Sequence, residues 1–209
     1  MSSSWSYLDA AVLPLIVGES VLDVGCGMGR WGALIETNYW EAKLERAPAV
    51  DGVDLFDANI EHCRARGTYR RVWKHTVPEP FEGEWDTVLA GEILEHLPRE
   101  HVEEAVERLE QVARRRVIFT TPNGPAYRPG HETPLGFNPY EAHVSELRPS
   151  FFAERGYVVR GVGFGSYAGR LAPLAKRLRV RKSLMSVTWR VPRLSETLVA
   201  YKDTWPRSG

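Results

Sequence analysis

Apolar residues gather along this chain in short blocks, separated by longer stretches of mixed character. Such blocks stand at about Ser20–Val24, Ala49–Leu55, Tyr69–Trp73, Trp85–Gly91, Val117–Thr121, Tyr157–Val162 and Glu196–Lys202. Their length and β-branched content suit strands. Between them the apolar positions return at helical spacing. Residues 28–42 place Trp31, Leu34 and Ile35 on one side, and the stretch from Pro98 to about Ala113 puts Val102, Val106 and Leu109 in one stripe. Proline suits the first turn of that second helix, and Arg114, Arg115 and Arg116 would close it with cations at its C-terminus. A further helix is expected over Ser145–Arg155, and residues 5–16 read as a helix-like segment interrupted by Pro14 and packed across one end of the sheet. Strands alternating with helices predict an α/β fold: a mostly parallel, seven-stranded sheet with helices on both faces.

Composition narrows the picture without naming a function. The 209 residues are 43% hydrophobic, with 27 basic and 27 acidic side chains. That fits a single domain spanning 1–209, with loops inserted at about 123–143 and 163–195. No basic leader with an apolar core and no bilayer-length apolar run is present. Cys26 and Cys63 are the two cysteines, and no C-x-x-C pair occurs. Neither a zinc site nor a disulfide framework is expected, and a reducing, cytoplasmic setting is. Overall neutrality argues against a dedicated nucleic-acid binder. Between Gly156 and Ser195, however, nine Lys or Arg residues occur with no Asp or Glu. This stretch, centred on 170–193, reads either as a basic element touching RNA, a phosphate-bearing substrate or a membrane surface, or as a solvated insertion.

The chemistry begins at Val21–Gly32. An apolar strand runs into Gly25, Gly27 and Gly29, which remove side chains where the backbone bends and a ligand approaches. Asp23 lies inside the apolar run, where a carboxylate needs a fixed partner. Two parses fit. Gly27, Gly29 and Gly32 spell the G-x-G-x-x-G of dinucleotide sites, but the strand has already ended at Gly25. Asp23 followed by three alternate glycines resembles the D-x-G-x-G-x-G signature of class I S-adenosylmethionine (SAM) dependent methyltransferases. The resemblance implies a Rossmann-like fold, SAM as cofactor with S-adenosylhomocysteine (SAH) as product, and a cofactor loop of Asp23, Gly25, Cys26, Gly27 and Gly29. Asp54, with Leu55 beside it, ends the second strand, where a doubly wound fold carries its ribose-binding acid. Asp57 reads as a helix cap. The family often has an acid for the adenine amine after the third strand. None is evident in Lys74–Pro80, where His75 is either a substitute or a surface residue.

The second informative stretch is Gly91–Pro98. Glu92 and His96 match a Glu-His pair that many class I methyltransferases use to position SAM and shape the acceptor pocket, and a histidine there suits a general base. Glu92-x-x-Glu95-His96 also resembles the pattern of two metal-assisted subfamilies, the ubiquinone-pathway O-methyltransferases and the small-RNA terminal 2′-O-methyltransferases. The latter add a histidine after a Thr-Pro-Asn segment, here Thr121–Asn123 followed by His143. The resemblance implies that Glu92, Glu95, His96 and His143 hold Mg²⁺ or Mn²⁺. The competing readings are that Glu95 steadies the next helix and that His143 caps or packs a helix. His131 is a secondary candidate base, while His62, His75 and His101 read as surface positions. The expected function is O-methylation of a small hydroxylated acceptor, with His96 or His143 as base or metal ligand. The other classes that fit are an RNA-end 2′-O-methyltransferase, a non-catalytic SAM-binding protein and a nicotinamide-dependent oxidoreductase.

Overall fold

A computed structural model describes residues 8–42, 46–124, 127–163 and 187–204. The strands are β1 (Ser20–Val24), β2 (Ala49–Asp54), β3 (Arg71–Lys74), β4 (Trp85–Gly91), β5 (Ala113–Pro122), β6 (His131–Thr133), β7 (Gly136–Asn138), β8 (Val158–Val162) and β9 (Thr197–Asp203). Seven of them form one sheet in the order β3-β2-β1-β4-β5-β9-β8, and β6 and β7 form a separate hairpin. Strands β1 to β5 run parallel, whereas β9 is antiparallel to both β5 and β8. The chain travels outward from β1 to β3 and then restarts at β4 on the other side of β1. Ligands in such sheets bind outside the carboxyl ends at that switch point.

The helices are α1 (Asp9–Val12), α2 (Arg30–Glu41), α3 (Asp57–Arg66), α4 (Arg99–Val112) and α5 (Pro149–Ala153). Neighbouring strand residues point to opposite faces, so the sheet divides the core in two. Leu22, Val88 and Phe119 face α4 and α5, packing with Val102, Val106, Leu109 and Phe152. Val21, Leu89 and Ile118 face the other way, onto Trp31 and Ile35 of α2 and Ile60 of α3. Helices therefore cover both faces, as the alternation predicts.

Several local expectations change. Arg114, Arg115 and Arg116 do not close α4. The helix stops at Val112, Ala113 is extended (φ −90°, ψ 107°), and the arginines belong to β5. Register puts them among acids on neighbouring strands: Arg114 and Arg115 lie 3.3 and 3.7 Å from Asp86, and Arg116 lies 2.7 Å from Asp203. The helix expected over Ser145–Arg155 shrinks to α5, because Pro149 sets its first position and holds Arg148 extended (φ −127°, ψ 159°). Asp57 does not cap α3. Phe56 takes the N-cap position, and the Asp57 carboxylate pairs with Lys74 at 2.8 Å. The loop expected over 123–143 contains the β6–β7 hairpin and a short 3₁₀ turn, Pro139–Glu141. Most of the basic 170–193 stretch lies outside the described residues. No helix among the described residues is long and apolar enough to cross a membrane.

Candidate functional site

At the carboxyl end of β1 the backbone turns through Gly25, Gly27 and Gly29, with φ of 70°, 54° and 84°. That left-handed region disfavours residues with a Cβ, and a Cβ at Gly25 would also collide with the Ile93 side chain. The N–H groups of Gly25 and Cys26 donate to the Val53 carbonyl at 2.8 and 2.9 Å, tying the loop to β2. Asp54 completes the attachment: Oδ2 accepts from the Gly27 N–H at 2.8 Å and Oδ1 from the Phe56 N–H at 2.9 Å. Each carboxylate oxygen keeps a second lone pair for a ligand hydroxyl.

Three of the expected cofactor residues support this loop from behind and are absent from the cleft wall. Asp23 is fully buried and has the fixed partner its position demanded, the Tyr69 hydroxyl, which donates to Oδ2 at 2.7 Å. Burial raises its pKa to about 7. Cys26 and Cys63 are both buried, with sulfurs 3.9 Å apart, and the Cys63 thiol donates to the Gly27 carbonyl at 3.2 Å. Contact with Cys63, together with burial, pushes the Cys26 thiol far above its ordinary pKa. Gly29 serves as the N-cap of α2.

The cleft in front encloses about 140 Å³ and opens to solvent on one side. Gly25, Gly27, Asp54, Leu55 and Glu92 line it, as expected of cofactor residues. Asn59, His75, Thr76 and Val77 extend it along α3 and the segment after β3, and His96, Asn138, Tyr140 and Glu141 form the far end. His75 is therefore a wall residue as well as a partly exposed one, its ring 4.0 Å from that of Phe81.

The far end is built around the turn after β4. Glu92 adopts φ 58°, rare for a residue with a side chain. Its N–H donates to the Thr120 carbonyl at 2.9 Å, and its Oε1 accepts from the Thr120 hydroxyl at 3.0 Å. Burial raises its pKa to about 7. Glu95 is 2% exposed and accepts from the Thr121 hydroxyl at 3.0 Å. Burial, reinforced by the nearby Glu92 charge, moves its pKa well up. Its backbone carbonyl receives the N–H groups of Val144 and Ser145 at 2.8 and 3.0 Å. His96 Nδ1 lies 3.0 Å from the Ala142 carbonyl. A carbonyl only accepts, so Nδ1 carries the proton and the other ring nitrogen is the basic one. Burial lowers the pKa of His96 to about 4, keeping it neutral near pH 7. The His143 ring stands edge-on to it, with centroids 4.7 Å apart.

Glu95, His96 and His143 each offer a ligand atom, all within 4.8 Å of one another. Glu92 is not part of that group, since its carboxylate turns to Thr120. The four-residue metal set expected from the sequence thus reduces to three. One carboxylate and two imidazoles suit Mn²⁺ better than Mg²⁺, which prefers oxygen ligands. Glu95 is not a helix cap, as α4 has no side-chain cap, and His143 precedes α5 by several residues. His131 sits in the hairpin opposite Asn138, away from the cleft wall.

Sequence reasoning missed Asn59, Asn138 and Glu141, all buried and polar. For Asn59 a signal existed, because it shares a helix face with the buried Cys63 four residues on. Asn138 and Glu141 lie in a stretch with no periodicity to flag them.

A fold of this topology with this loop and acid defines a class of protein. The methyltransferase-domain family matches residues 6–187, and the chain belongs to it, within the class I SAM-dependent methyltransferases. Among curated proteins it is similar to the ubiquinone biosynthesis O-methyltransferase of Pseudomonas paraeruginosa, 31% identical over 90 residues. The protein of the same name from Dechloromonas aromatica is 32% identical over 99 residues. These matches cover 40% and 44% of this chain, and the chain spans only 35% and 38% of those relatives. Among solved structures it resembles magnesium protoporphyrin IX methyltransferase from Synechocystis with bound SAM, at TM-score 0.56 and 15% identity, over 93% of this chain and 77% of that one. The methyltransferase domain of the bacterial protein CtHen1 gives TM-score 0.53 and 20% identity, over 92% and 93%. Likeness at that identity is a likeness of fold.

Proposed function

We propose that the protein moves the methyl group of SAM to a hydroxyl oxygen of a small-molecule acceptor, with His96 as the base. When bound, SAM supplies an activated methyl on a sulfonium and leaves as SAH. Gly25 to Gly29 would cradle its amino-acid end, Asp54 its ribose hydroxyls, with Leu55 beside the base and Glu92 near the reacting end. His96 would take the hydroxyl proton as oxygen attacks, and the rest of the work is alignment. The observation that carries this reading is the His96 ring, held by the Ala142 carbonyl in the wall of the cleft. The O-methyltransferase names of the curated relatives support the choice of oxygen. Two free cysteines fit a reducing, cytoplasmic setting.

A second version rests on the convergence of Glu95, His96 and His143. There a divalent cation, Mn²⁺ before Mg²⁺, would lower the hydroxyl's pKa, and His96 would be a ligand instead of the base. Chelation separates the two. Activity on a panel of phenols and catechols, followed by SAH release, should persist in EDTA if His96 is the base. It should vanish and return with added Mn²⁺ if a metal is used. The RNA-end reading would instead predict salt-sensitive RNA affinity through the 170–193 segment. No SAH release from any hydroxylated acceptor would overturn the proposal and favour a SAM-binding role without catalysis.

A further inference from the structure

The cleft lacks the acid that the family often provides for the adenine amine. The segment after β3 brings His75, Thr76 and Val77 to the wall, and none of these is a carboxylate. Glu79, the nearest acid in that segment, faces a separate groove beside Trp73 and Phe81. His75 is already engaged, with Nε2 3.2 Å from the Glu79 carbonyl and its ring against Phe81.

Asn59 offers what is missing. It sits in the first turn of α3, is 2% exposed, and lines the cleft beyond Asp54 and Leu55. Its backbone N–H donates to the Phe56 carbonyl at 3.0 Å, while no hydrogen bond joins its carboxamide to another described residue. A carboxamide in a cleft wall without a protein partner is open to a ligand's donor and acceptor. A carboxamide presents one donor and one acceptor side by side, the complement of an adenine amine and its adjacent ring nitrogen. Asp54, fixed two residues before α3 by the Gly27 and Phe56 N–H groups, sets the ribose end of the same wall.

We propose that Asn59 recognises the adenine of SAM, taking the place of the absent acid. The assignment rests on the SAM reading of the cleft and adds a specificity-determining residue to it. The test is calorimetry with the full chain, using SAH and the SAH analogue that carries unsubstituted purine in place of adenine. Wild type should bind SAH about tenfold more tightly than the analogue, the loss expected when a buried amide is left unpaired. Asn59→Ala should weaken SAH about tenfold and leave the analogue nearly unchanged, so that the preference collapses. Asn59→Asp, which keeps the shape and still accepts from the amine, should retain part of it. If Asn59→Ala and Asn59→Asp weaken both ligands equally and preserve the wild-type ratio, the residue is structural and the assignment falls. No preference in wild type would overturn it as well. Failure of wild type to bind SAH at all would instead remove the cofactor reading beneath it.

Discussion

The two ends of the cleft are built in opposite ways. At the cofactor end, a loop of three left-handed glycines and one aspartate are joined by backbone bonds between adjacent strands. At the acceptor end, Glu95 and His96 are positioned by Ala142, Val144 and Ser145, main-chain groups more than forty residues later. The first arrangement is dictated by what the backbone needs locally. The second depends on a loop returning from the far side of β5. The difference teaches where constraint resides: glycine geometry fixes one end of the cleft, and tertiary return fixes the other.

That comparison can be broken most decisively at His96. His96→Gln should lower kcat by roughly 10²–10⁴-fold, the usual contribution of a general base, with SAH affinity nearly unchanged by calorimetry. A parallel loss of SAH affinity would mean that the two ends are not separable. Asp54→Ala is the mirror experiment. It removes two backbone attachments and the proposed ribose acceptor, so SAH affinity should fall roughly 30-fold while kcat at saturating SAM stays within about twofold.

The next effect is a pH dependence to which Asp23, behind the glycine loop, contributes. Asp23 is buried and its pKa is raised to about 7, above that of the unfolded chain. The folded protein therefore holds a proton that the unfolded chain has released. Stability is full below the unfolded value near 4 and declines as pH rises toward about 7, by at most about 1.4 kcal/mol per pH unit. Urea melts should show this slope in wild type and a flatter one in Asp23→Asn. Asp51 on β2 behaves oppositely. Burial alone would raise its pKa, but hydrogen bonds from Arg70, Arg71 and the Trp85 indole outweigh that and bring it down to about 2. Its contribution is present above about 4 and lost as pH falls toward about 2, so acid unfolding should begin earlier in Asp51→Asn. The smallest change is expected for Thr121→Val. It deprives Glu95 of one hydroxyl donor and should reduce kcat by about fivefold without altering SAH binding.

Legibility in the sequence followed the same division. The first five strands, α2, α4, the glycine loop and Asp54 could be read because each rests on local periodicity or local backbone demand. Asp23 announced that it needed a partner, but Tyr69, forty-six positions away, could not be identified without the fold. The arginines at 114–116 looked like the end of a helix, since a cation run suits a helix C-terminus. What decided them was strand register, which sets them beside Asp86 and Asp203. The E-x-x-E-H resemblance implies both Glu92 and Glu95 as metal ligands, yet Glu92, at positive φ, accepts from Thr120 and lies outside the ligand group. Asn138 and Glu141 belong to a Pro- and Gly-rich stretch whose conformation comes from what it packs against.

Main-chain groups of the returning loop supply the contacts to the turn after β4: two N–H groups on the Glu95 carbonyl and the Ala142 carbonyl on His96. Side chains nearby are left exposed, among them Tyr127, Phe137, Tyr140 and Val144. Because peptide groups are the same in every residue, these attachments of the imidazole do not depend on which side chains the exposed rim carries. The exposed positions Tyr127, Phe137, Tyr140 and Val144 can therefore change more freely than the buried Asn138 and Glu141 between them.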